Sequence, residues 1–151
     1  MRHARNAVQE DPESLLAQWT LGLVYHWNAQ HEEAVAVLEP LWANSGHNWV
    51  AMGLVPAYVR AGREDQARSL YESLVDRHAR EYVQPFVLAV GATALADYEA
   101  AIRFCEVAIE GRDMLFALFS RFWPDFEPVR ADRRYDDILA RFNSRGSAGR
   151  G

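Results

Sequence analysis

Five histidines (His3, His26, His31, His47 and His78), one cysteine (Cys105) and adjacent acidic residues such as Glu32/Glu33 and Asp136/Asp137 are the groups in this sequence that chemistry could use. Their spacing argues against most of it. His26 and His31 stand five apart across a turn signal, and His31-Glu32-Glu33 lacks the second histidine that a zinc-peptidase helix needs at i+4. Glu32/Glu33 and Asp136/Asp137 point about 100° apart if helical, so neither pair can readily share a proton or a metal ion. They are better placed to complement helix N-termini. No Gly-x-Ser-x-Gly elbow occurs. The cluster Gly146-Ser147-Ala148-Gly149 has no strand before it and no helix after it, so it cannot cradle a phosphate. Cys105 falls at a packing position, where a thiol behaves as a small hydrophobe. No catalytic residue, cofactor or metal is expected, and His26 is the single candidate for acid–base work.

The elements that position these groups follow from composition and period. Half of the 151 residues are apolar and a quarter charged, enough for one domain with an apolar core. With 21 acidic residues against 16 basic ones the formal charge is −5, which gives no general attraction to nucleic acid or to an anionic membrane. A single cysteine makes no internal disulfide, and the first residues given do not pair a basic start with an apolar signal core. The expected setting is cytoplasmic. All 16 basic residues are arginine, a bias that points to a GC-rich, bacterial coding sequence.

An internal repeat dominates the chain. Ala34-x-x-x-Leu38-Glu39-x-Leu41, Ala67-x-x-x-Tyr71-Glu72-x-Leu74 and Ala101-x-x-x-Cys105-Glu106-x-Ala108 share one pattern, with starts 33 and then 34 residues apart. Ahead of each alanine stand Leu21-Gly22, Leu54-Val55 and Leu88-Ala89, followed three residues later by Tyr25, Tyr58 and Ala92. Apolar residues at i, i+4 and i+7 mark helix faces, and small residues at Gly22, Ala34, Ala67, Ala89 and Ala101 allow close helix approach. Asn28-Ala29-Gln30, Arg60-Ala61-Gly62 and Ala94-Leu95-Ala96-Asp97 read as the intervening turns. The unit is an antiparallel helical hairpin.

Over residues 15–114 these features resemble the tetratricopeptide repeat (TPR). The first unit carries Leu21, Gly22, Tyr25, Ala34, Leu38 and Leu41, the second has Val55 where glycine is usual, and the third has Ala92 where an aromatic is usual. The resemblance implies an all-α fold, a right-handed superhelix of antiparallel helical hairpins closed by a C-terminal helical cap. Its expected divisions are 1–14, a half-repeat ending a preceding unit; 15–47, 48–81 and 82–112, three full units; 113–143, capping helices; and 144–151, a disordered tail rich in glycine and serine. Ala4, Ala7 and Pro12 match the second helix of a preceding unit. Met1 would then begin inside a repeat, either because the chain is part of a longer protein or because the half-unit is a cap. The run from Phe126 to Tyr135 is similar to the tail that closes such arrays in bacterial regulatory proteins, with Arg133 where proline is frequent.

The family lines its concave surface with the first helix of each hairpin. By register those positions are Leu16, Trp19, Leu23 and His26; Trp49, Met52, Pro56 and Val59; and Val83, Phe86, Val90 and Thr93. The set is almost uncharged. A lysine-free chain with only Asn48 and Arg60 nearby does not make the carboxylate clamp by which some relatives bind acidic chaperone tails. The expected function is therefore a protein–protein interaction scaffold, not an enzyme, docking a protein or peptide partner through an apolar concave face. A missing domain of the same chain, a homo-oligomer or an internal core are the other ways to cover that face, and a small enzyme or ligand carrier built on His26 is the rival from another class.

Overall fold

The computed structural model describes residues 14–148, with side-chain surroundings for residues 14–144. Within that span the chain is helical, with no strand. The helices cluster into two compact units, one ending at Tyr82 and one beginning at Val83. The half-repeat expected through Ala4, Ala7 and Pro12 lies outside the described residues, apart from Ser14, which caps the first helix.

The N-terminal unit holds α1 (Leu15–Trp27), α2 (His31–Ser45), a 3-10 turn (Asn48–Val50), α3 (Ala51–Arg60) and α4 (Glu64–His78). Ser14 starts α1 by accepting from the Ala17 N–H at 3.2 Å. Acidic residues fill the first turns of α2 and α4 (Glu32, Glu33, Glu64, Asp65), complementing the exposed N–H groups there. α2 ends at Gly46, whose φ of 63° reverses the chain. Arg77 of α4 then fixes the following loop through the Gly46 carbonyl at 3.0 Å and Asn48 Oδ1 at 2.8 Å.

α1 and α2 pack as one hairpin, α3 and α4 as another, and α3 also lies against α1 and α2. Leu38 sits where three helices meet. It is fully buried, and a Cβ added at Gly22 of α1 would overlap its side chain. A Cβ at Gly53 of α3 would stand 3.1 Å from the same leucine and 2.9 Å from Leu23. The absence of side chains at these two glycines is what lets the helices close on Leu38.

The C-terminal unit holds α5 (Pro85–Ala94), α6 (Tyr98–Glu110), α7 (Met114–Phe119), a 3-10 turn (Pro124–Phe126), α8 (Glu127–Arg130) and α9 (Arg133–Ala148). α5 and α6 form its main hairpin. Phe86 meets Phe126 and Phe116 edge-on at 5.2 and 5.9 Å, and Phe126 meets Tyr135 at 5.7 Å. Asp113 ties the unit together. Buried at the turn before α7, it accepts from the Leu115 N–H at 3.0 Å and from the Phe86 N–H, at the start of α5, at 2.8 Å.

One turn geometry recurs through both units. A residue with positive φ follows the helix at Ala29 (61°), Gly62 (78°), Ala96 (60°) and Arg112 (55°). The next N–H then donates five residues back: Gln30 to Tyr25, Arg63 to Tyr58, Asp97 to Ala92 and Asp113 to Ala108, at 2.8–2.9 Å. The first three turns are spaced 33 and 34 residues apart. The fourth leads into α7, a helix of six residues.

The segment from Trp123 to Ala131 is wound into a 3-10 turn and α8, each with proline at an early position whose missing N–H costs nothing. One feature departs from the sequence expectation. α9 continues to Ala148, so most of the tail expected to be disordered is helical in backbone, since extending a formed helix costs far less than nucleating one. Residues 149–151 lie outside the described span.

Two substitutions test this packing. Gly22→Ala gains about 1 kcal/mol of helix propensity, but it overlaps the enclosed Leu38, and overpacking costs about 1–3 kcal/mol. A net loss is expected in urea titration, and an equally stable variant would refute the Gly22–Leu38 contact. Asp113→Ala leaves two N–H groups without their acceptor and should cost about 2–4 kcal/mol.

Candidate functional site

The residues expected to line a concave apolar face are, for the most part, core. In the N-terminal unit Trp19, Leu23, His26 and Met52 are buried, as is Pro56, while Trp49 and Val59 are half-buried and Leu16 is 63% exposed. In the C-terminal unit Val83, Phe86 and Val90 are each fully buried, and Thr93 turns its hydroxyl to the Ala89 carbonyl at 2.7 Å. Direct contact with a partner in this conformation is open to Leu16, Trp49 and Val59 alone. Helix length accounts for this burial: α3 and α5 have ten residues each, nearly all enclosed, so little of either helix is left for a groove.

The structure does bring some of these residues together. Trp49 lies on the 3-10 turn ahead of α3 and meets Trp19 edge-to-face at 4.9 Å, while His47 stacks on its other side at 5.5 Å. Such aromatic pairs contribute about 0.5–1.5 kcal/mol beyond area burial. Trp49 is thus held by its neighbours, half in the core.

His26 is the one candidate acid–base residue, and it is paired. Its Nδ1 is 3.3 Å from His31 Nδ1, so one ring presents a hydrogen and the other a lone pair. His26 is 4% exposed. None of three cavities, in the two units, is lined by either ring. Among the described residues no group of three or more His, Cys, Asp or Glu side chains could hold a metal ion. No helix there is long and apolar enough to cross a membrane.

An open, largely apolar surface lies elsewhere, in the C-terminal unit. A groove of about 800 Å³ runs between the end of α6, α7 and α9, with Met114, Phe122, Leu139 and Phe142 among its lining residues. Met114 is 68% exposed, Phe122 76% and Phe142 48%. Four charged residues also line it: Arg112, Asp113, Arg121 and Arg130. Asp113 is occupied by its two backbone donors, and Arg130 by Glu127 and by the Ser120 and Trp123 carbonyls. Neither Arg112 nor Arg121 is in an ion pair among the described residues. The register argument missed this groove because it considered only the first helix of each hairpin. The signal was present in Met114-Leu115-Phe116-Ala117-Leu118-Phe119, which is apolar on every face and too short to bury more than one.

Comparison with protein families, curated proteins and solved structures finds no match to this chain.

Cys105 is fully buried on α6, and its burial, reinforced by neighbouring Glu106, pushes the thiol up to about 12. The folded state therefore holds a proton that the unfolded chain releases near pH 8.5. This contribution to stability is intact below about pH 8.5 and declines as pH rises from there toward 12. Cys105 is expected to resist alkylation by iodoacetamide at pH 8 and to react fully in denaturant, a contrast read by intact mass. Rapid alkylation of the folded chain would overturn its placement.

Proposed function

We propose that this chain is a non-catalytic interaction module of the tetratricopeptide type, a right-handed superhelical scaffold of helical hairpins that binds a protein or peptide partner. The observation that carries this reading is the hairpin turn recurring at intervals of 33 and 34 residues, with a buried small residue five positions after each positive φ: Ala34, Ala67 and Ala101. Repeated hairpins bury one face on their neighbours and keep others for partners. A cytoplasmic role within a bacterial regulatory protein suits the single reduced cysteine and the all-arginine basic set. Exposed apolar anchors beside arginine favour binding of another chain.

A second reading, an enzyme or ligand carrier centred on His26, draws on the buried His26–His31 contact. A general base must reach the proton it removes, and no cavity described above opens onto this pair. The pair serves better as a polar clasp between the end of α1 and the start of α2.

The two readings separate experimentally. Panning a random peptide library on the folded chain should enrich a consensus with apolar anchors and micromolar affinity. His26→Gln should lower the melting temperature and leave that affinity within twofold. Absence of any enriched peptide would overturn the interaction reading, and a small-molecule ligand whose binding is abolished by His26→Gln would establish the carrier.

A further inference from the structure

The open groove between α7 and α9 has a chemistry that selects its occupant. Most of its lining surface is apolar, and 800 Å³ exceeds what a single side chain fills, so it accepts several anchors presented together. A rigid trough between helices takes such anchors from one face of an amphipathic helix, spaced i, i+3 or i+4, and i+7. The charge is one-sided. Of the four charged lining residues, Asp113 and Arg130 are spent on the protein itself, which leaves Arg112 and Arg121, both exposed and both cationic. The chain as a whole carries −5, so this positive rim is local and not a reflection of net charge. The adjoining cavity, which Arg112 also lines, contains Glu106 and Glu110, but Glu106 is paired with Arg141 at 2.8 Å.

Resting on the reading of the chain as an interaction module, we propose that this groove binds an acidic amphipathic helical peptide. Its apolar residues insert between Phe122 and Phe142, and its carboxylates pair with Arg112 and Arg121. Met114, unbranched and exposed at the groove's edge, adapts to the inserted side chains. The arginines give orientation and preference for acid, and the aromatic rings give most of the affinity.

Arg112 makes the test clean. It occupies a positive-φ turn position that glycine adopts without strain, as Gly62 does in the N-terminal unit. Arg112→Gly should therefore leave the melting temperature of the full chain unchanged or raised while weakening binding. The probe is a synthetic peptide of about four helical turns with leucine on one face and glutamate flanking it, compared with versions carrying glutamine or lysine in place of glutamate. The acidic peptide should bind most tightly, and added salt should narrow its advantage. Arg112→Gly should weaken it about twofold to fivefold, as for an exposed ion pair, and adding Arg121→Gln about tenfold in total. Phe122→Ser, at an exposed position that leaves folding intact, should weaken all three peptides at least about tenfold.

Equal binding of the lysine and glutamate peptides would overturn the charge assignment. Peptide binding insensitive to Phe122→Ser and Arg112→Gly would overturn the groove while leaving the interaction reading intact. Absence of binding here, together with failure of the peptide selection, would overturn both. A concentration-dependent dimer that Phe122→Ser converts to monomer, with no peptide bound, would replace the peptide by a second copy of the chain.

Discussion

The hairpins depend on a single backbone constraint, the positive φ that ends one helix and aims the next. Of the four recurring turns, the one at Gly62 meets it without a side-chain penalty. Ala29, Ala96 and Arg112 adopt the same conformation at φ of 55–61°, where a non-glycine residue carries strain on the order of 1 kcal/mol or more. The strain persists because both neighbours depend on the geometry. Each turn donates an N–H to a carbonyl five residues back, and the following helix then begins with its small residue, Ala34, Ala67 or Ala101, already enclosed. A larger residue at those positions would push the second helix off the first, and the turn would lose the packing that holds it.

Local turn geometry is followed by different solutions for the core in the two units. The N-terminal unit closes on one leucine: Leu38 takes the space left open by Gly22 and Gly53. The C-terminal unit closes on rings, with Phe86, Phe116, Phe126 and Tyr135 meeting at centroid distances of 5.2 to 6.4 Å. Asp113 is the polar counterpart of that cluster, binding the starts of two helices with one carboxylate. Edge-on rings and a carboxylate between helix N-termini are both directional, so they fix orientation as well as burial.

This division explains what was legible in the sequence. Period and small residues placed the turns at Asn28–Gln30, Arg60–Gly62 and Ala94–Asp97, within one residue of the helix breaks at Asn28–Gln30, Ala61–Arg63 and Leu95–Asp97, because turns are set by neighbouring residues. Exposure was less accessible. Met52, Phe86 and Val90 sit at positions that a long helix would present to solvent, but α3 and α5 are ten residues long and almost wholly enclosed. Periodicity describes which residues share a face and is silent on how many neighbours cover it. Trp49 illustrates the same limit: its place on a 3-10 turn and its contact with Trp19 depend on loop 46–48, which Arg77 fixes from 29 residues away in sequence.

The open groove follows from unequal helix lengths. α9 places Tyr135, Ile138, Leu139 and Phe142 along one stripe, at i, i+3, i+4 and i+7, and exposure rises along it from 5% at Tyr135 and Ile138 to 48% at Phe142. α7 is the short element beside that stripe. Six residues span about 9 Å and the sixteen of α9 about 24 Å, so α7 cannot follow the stripe to its end. Phe116 is the single residue of α7 that becomes fully enclosed, and its other apolar side chains remain wholly or partly accessible. Phe122 lies past the end of α7, on the turn that leads into Pro124, and is 76% exposed at the same groove. The apolar surface is thus left open by the geometry of the closing helices themselves, beside two arginines that the fold does not use.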